Sequence, residues 1–79
     1  MEQNKIKINL NSVDKVKRFI QVARGFISDI DIIADRACVD GKSILGLYAL
    51  DLSKDVYVRI ISDNTMEIRQ FDAAMEEFI

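Results

Sequence analysis

Two serines in this chain stand where a side-chain hydroxyl would meet the free N–H groups of a helix start. Ser12 precedes Val13-Asp14-Lys15-Val16, and Ser43 precedes Ile44-Leu45-Gly46-Leu47-Tyr48. A serine so placed N-caps the helix by accepting from an otherwise unpartnered backbone N–H. The same place favours phosphate, because free N–H groups and the positive end of the helix dipole stabilise an anion. Lys42 beside Ser43 adds positive charge, and Gly41 leaves room for a modifying enzyme. Cap and phosphorylation site are both open readings of Ser43.

Residues 44–50 are apolar on every side. Leu47 and Leu50, three apart, can share a buried face, which leaves Ile44, Leu45 and Tyr48 near its rim. Such a cluster is either the ordinary apolar fraction of a small protein's surface or a docking patch for another protein.

The remaining chemistry is sparse. Histidine is absent from the 79 residues. No glycine-rich phosphate loop occurs, no metal-ligand cluster, and no nucleophile paired with a base. Asp29, Asp31, Asp35 and Asp40 are close in sequence, but strand alternation makes them a solvated face rather than a metal site. Cys38 has only Arg36 near it and reads as a small buried strand residue. These residues predict no enzyme, no metal and no cofactor.

The elements that must position the two serines follow from periodicity. Lys5 to Leu10 alternates, with Ile6, Ile8 and Leu10 on one face of a strand. After Asn11 and Ser12 the period changes: Val13, Val16, Phe19, Ile20, Ala23 and Phe26 form the apolar side of a helix that closes near Gly25. Asp29 to Ala34 alternates again with Ile30, Ile32 and Ala34 inward. Asp35-Arg36 makes a hairpin turn into a short return strand, Ala37-Cys38-Val39. A short helix follows Ser43, then a strand in which Val56, Val58 and Ile60 alternate with Tyr57, Arg59 and Ile61. Asn64 and Glu67 form a capping-box pair ahead of a last helix with Ile68, Phe71, Met75 and Phe78 inward. The order β-α-β-β-α-β-α with one-sided alternation predicts an α+β fold: a four-stranded sheet with helices on one face and the other face wet.

Composition bounds the rest. At 79 residues and with 30 % charged side chains, the chain reads as one folded domain spanning 1–79 rather than a disordered one. A net charge of −2 and a pI near 4.9 lack the basic stripe of a nucleic-acid binder. Apolar runs are too short for a membrane span, and Met1-Glu2-Gln3-Asn4-Lys5 leads into alternation rather than a signal peptide. A single cysteine fits a reducing cytoplasm.

The run Cys38-Val39-Asp40-Gly41-Lys42-Ser43-Ile44-Leu45-Gly46-Leu47 resembles the K-V-N-A-K-S-I-M-G-V stretch of the HPr family, the small phosphocarriers of the bacterial sugar phosphotransferase system. Length and element order resemble the family over the whole chain. The resemblance implies an open-faced β-sandwich, four antiparallel strands under three helices. It places Ser43 on the serine that a dedicated kinase phosphorylates in many Gram-positive bacteria. It also places Ile44, Leu45 and Tyr48, with Lys42 beside them, on the surface by which HPr docks its partners. Implied partners are an HPr-type kinase, a transcriptional regulator or phosphotransferase-system components. In two places the chain departs from the pattern: Asp40-Gly41 replaces Asn-Ala, and the hairpin lacks Asn-Gly.

The family carries phosphate on the histidine of G-L-H-A-R-P at the head of its first helix. Aligning Phe19 with the family's phenylalanine puts Ser12 at that position, with Val13, Asp14 and Lys15 in place of Ala, Arg and Pro. A serine phosphate ester lacks the transfer potential of a phosphoramidate, and the hydroxyl would need an activating base. Asp14 also sets a negative charge where a cation would clamp phosphate. The chain is therefore expected to be a regulatory or adaptor protein without carrier activity, like the catabolite-repression HPr-like proteins. The alternative is a small α+β ligand- or protein-binding module unrelated to sugar transport.

Overall fold

The computed structural model describes residues 5–79. Met1, Glu2, Gln3 and Asn4, on which the reading of the chain's start rests, lie outside the described residues. The elements are β1 (Ile6–Ile8), α1 (Val13–Arg24), β2 (Asp29–Ala34), β3 (Ala37–Asp40), α2 (Ile44–Tyr48), β4 (Val56–Ile61) and α3 (Thr65–Met75), extended by a 3₁₀ turn, Glu76–Phe78. The strands form one sheet in the order β1-β4-β2-β3, and every neighbouring pair is antiparallel.

The alternation read from the sequence decides which face is covered. Ile8, Ile30, Ile32, Val56, Val58 and Ile60 point to the helices and are buried. On the open face Asp31 lies opposite Arg59, and the two side chains pair at 3.4 Å. From above, α1 supplies Val16, Phe19, Ile20 and Ala23, and α3 with its 3₁₀ turn supplies Phe71, Met75 and Phe78. Phe19 meets Phe78 edge-on at 5.5 Å, and Phe26 meets Phe71 at 5.6 Å. Burial of each large apolar side chain stabilises the fold by about 1.5–3 kcal/mol. The result is the open-faced α+β sandwich expected from the sequence.

Local signals hold with some corrections. Asp35 takes the left-handed conformation, φ 53, which aspartate tolerates and which closes the Ala34–Ala37 hairpin without Asn-Gly. Gly25 caps α1, but with φ −74 it needs no left-handed backbone. Val13, the first residue of α1, is 56 % exposed rather than core. Cys38 is exposed, not buried: it pairs with Ile33 on the outward parity of the edge strand, while Val39 takes the inward one. The capping box is half formed. Asn64 Oδ1 accepts from Met66 N and Glu67 N at 3.0 and 3.2 Å, but the Glu67 carboxylate turns to Ser28 instead of reaching back.

Candidate functional site

The segment leading into α2 is held from below by the sheet. Gly41 N–H donates to the Ile30 carbonyl at 2.7 Å. A Cβ at Gly41 would lie 2.8 Å from Ile30 Cγ2, so glycine is required by close approach to β2. The expectation that Gly41 leaves open room beside Ser43 is corrected: the residue is buried. Asp40 then organises the turn, its Oδ1 accepting from Lys42 N at 2.9 Å and its carbonyl from Ser43 N at 3.1 Å.

Ser43 sits at the end of that turn in extended conformation, partly exposed. Its Oγ accepts from Gly46 N at 3.2 Å and its carbonyl from Leu47 N at 3.1 Å. This is the N-cap expected from its position. Lys42 differs from expectation. Its Nζ donates to the Phe26 carbonyl at 2.7 Å in a half-buried setting, so its charge serves the chain end of α1 rather than standing loose beside Ser43.

Along α2 and just after it, Leu47 is fully buried, Ile44 and Leu50 pack half-buried against the core, and Leu45 and Tyr48 are 81 % and 48 % exposed. Tyr48 then turns the patch toward the head of α1. A hollow of about 270 Å³ is lined there by Ser12, Val13, Val16, Tyr48, Leu50 and Leu52. Val13 and Leu52 escaped the periodicity argument as site residues. Leu52 is held by the turn after α2, where Asp51 Oδ1 accepts from Ser53 N at 3.1 Å and Ser53 Oγ at 2.5 Å. The Ser53 hydroxyl holds the Asp51 carboxyl below its ordinary value, with a smaller contribution from the charge of Lys54. The Asp-Leu-Ser spacing was the sequence signal for that turn.

Ser12 is exposed at the rim of this hollow, and its Oγ accepts from Lys15 N at 3.1 Å. It acts as the N-cap of α1. The structure thus sets Ser12 and Tyr48 around one hollow, while Ser43 stands at the opposite end of α2. Among the described residues no three of Cys, Asp and Glu are grouped to hold a metal. No helix among them is long and apolar enough to cross a membrane.

Residues 13–79 match the family model for the PTS HPr component phosphorylation site. The chain resembles HPr-C-His from Thermoanaerobacter tengcongensis at 24 % identity and TM-score 0.76, covering 98 % of this chain and 89 % of that one. It resembles the phosphocarrier protein HPr of Bacillus anthracis at 20 % identity and TM-score 0.73, over 99 % and 96 % of the two chains. Crh of Bacillus subtilis, a catabolite-repression protein described as an intertwined dimer with a swapped domain, is similar at 27 % identity and TM-score 0.62, over 100 % and 98 %. No curated protein matches the chain.

Proposed function

The chain belongs to the HPr family of the sugar phosphotransferase system, and we propose that within it this protein is a regulatory or adaptor member that carries no phosphate on histidine. One observation carries the reading: the head of α1, where the family resemblance places the phosphorylated imidazole, holds Ser12 as a helix cap, and the chain has no histidine. Ser12 Oγ is engaged with a backbone N–H, with no imidazole to take its proton and the Asp14 carboxylate two residues on.

Regulation in this reading acts at Ser43. A kinase of the HPr type transfers the γ-phosphoryl of ATP to Oγ: the O–P bond to Ser43 forms, the bond to ADP breaks, and the hydroxyl proton leaves to the kinase's base. The product adds roughly −1.5 to −2 charge at the start of α2. The Gly46 N–H that now bonds Oγ is a donor within reach of the phosphate oxygens. Leu45 and Tyr48, with Ile44 at the edge, form the adjacent contact surface. A dianion at its border disfavours acidic partners and favours arginine-bearing ones. Lys42 acts by bracing the 40–43 turn against Phe26. Phosphotransferase components and transcriptional regulators in the cytoplasm are the partners this reading implies, with residues 1–79 acting as one domain.

Two incubations test it. With phosphoenolpyruvate and the first enzyme of the system, the protein should acquire no acid-labile, alkali-stable label; such label would overturn the proposal. With an HPr-type kinase and ATP, mass spectrometry should place phosphate on Ser43, and Ser43→Ala should abolish it while losing only a cap, about 0.5–2 kcal/mol. Phosphate confined to Ser12, Ser28, Ser53 or Ser62, or none at all, would leave Ser43 as a cap.

A further inference from the structure

At the end of α1 remote from Ser12, where β4 stops and α3 begins, lies an open groove of about 1010 Å³. Its walls carry Ile27, Met66 and Ile61, which are 97, 65 and 47 % exposed, so three large apolar side chains surround one concavity without belonging to the core. The ionisable residues lining it are Asp63 and Glu67, and no lysine or arginine does. Neither carboxylate is in an ion pair among the described residues. Lys42 reaches the wall at Phe26 but bonds its carbonyl and is not among the lining residues.

Glu67 is fixed in place. Its carboxylate accepts from Ser28 N at 3.2 Å and from Ser28 Oγ at 2.5 Å, and Ser62 also bonds it. The Ser28 bond first, then that of Ser62, holds its carboxyl below the ordinary value. A fixed anion between exposed apolar walls selects against two kinds of occupant. A second copy docking by the same face would bring Asp63 and Glu67 toward their own counterparts, like charge against like. An acidic partner meets the same repulsion.

We propose that this groove docks a cationic amphipathic segment of a partner protein, with a lysine or arginine against Glu67 and Asp63 and apolar side chains against Ile27, Ile61 and Met66. The groove shares no lining residue with the Ser43 patch, although Lys42, next to Ser43, bonds the carbonyl of its wall residue Phe26. The 12 residues of α1 put its two ends about 18 Å apart, so the groove and the Tyr48 hollow can be filled at once. An adaptor then joins two partners, one at each end.

The isotope-labelled 79-residue chain titrated with a synthetic leucine–lysine amphipathic peptide tests this by amide shifts. Shifts should centre on Ile27, Ser28, Asp63, Met66 and Glu67, and raised salt should weaken them. A leucine–glutamine peptide of the same pattern should bind at least about tenfold more weakly. Ile27→Ser removes a side chain that contacts little in the fold, and Asp63→Asn removes one charge; each should weaken binding several-fold, whereas Tyr48→Ala should leave it unchanged. Shifts at residues 44–48 instead, equal binding of the neutral peptide, wild-type affinity in both groove variants, or no shifts at millimolar peptide would overturn the proposal. Concentration-dependent shifts at the groove without peptide would also overturn it, by assigning the groove to a second copy. Failure of kinase labelling at Ser43 would leave every one of these readouts in place.

Discussion

Lys42 donates from Nζ to the carbonyl of Phe26 at 2.7 Å, joining the turn before α2 to the chain that leaves α1. The bond spans elements whose sequence positions give no hint of contact. It converts a lysine that reads as part of a phosphate-binding edge into a brace between two helices. Because the ammonium is half-buried there, the bond is charge-assisted but still within reach of water.

Lys42→Met keeps the aliphatic stem and removes the donor. The expected loss is about 1 kcal/mol, below the range for buried charged hydrogen bonds because water can reach the Phe26 carbonyl. Urea denaturation should show a lower midpoint with an unchanged slope. An unchanged midpoint would mean the brace contributes nothing.

Two glycines five positions apart should respond with opposite signs. A methyl at Gly41 would lie 2.8 Å from Ile30 Cγ2 and 3.1 Å from its carbonyl oxygen, so Gly41→Ala must displace the turn from β2 and should cost about 1–3 kcal/mol. At Gly46 the nearest atoms are Ser43 Oγ at 3.4 Å and Val39 Cβ at 3.5 Å, and the backbone is not left-handed. Gly46→Ala should therefore be neutral or stabilise by up to about 1 kcal/mol. Thermal melts of the pair decide this, and equal destabilisation would refute it.

Leu45→Ala and Tyr48→Ala should leave the fold close to wild type, because Leu45 is mostly and Tyr48 about half in water and neither belongs to the buried core. Ile60→Ala empties a core position that is 3 % exposed and should cost about 2–5 kcal/mol. Calorimetry of the three variants separates surface from core. If Tyr48→Ala melts as early as Ile60→Ala, the α2 face is structural and the docking reading of it falls.

The depressed Glu67 carboxyl predicts a pH dependence. Its folded value lies below the unfolded one, so its contribution is complete above the ordinary carboxylate range and fades as pH falls through the depressed folded value. Glu67→Gln should flatten the acid limb of the stability curve from the ordinary carboxylate range downward and lose most near neutrality. A parallel acid limb in the variant would show that the Ser28 and Ser62 bonds do not favour the ionised form.

Much of the molecule was legible along the chain. Alternation in Val56 to Ile61 set the inward parity of β4, and the 3–4 spacing of Val16, Phe19, Ile20 and Ala23 set the buried face of α1, because side-chain direction in a regular element follows from backbone geometry alone. Ser12 and Ser43 read correctly as caps for the same local reason. Cys38 failed because parity is relative: which side of a hairpin strand faces the helices depends on register with β2, and composition argued the other way.

What the chain determines by itself is its chemical inventory and the faces of its elements. Without histidine no fold can provide an imidazole, and one-sided alternation demands a sheet covered on one side. The partners of individual polar groups were decided only by tertiary structure. Lys42 finds Phe26 across 16 positions, and Glu67 finds Ser28 across 39. The capping box that local spacing offered to Glu67 lost to a serine brought alongside when α3 packed next to the end of α1. A carboxylate takes the donors that packing brings within about 3 Å, and those distances exist only once the sheet and helices have closed on their core.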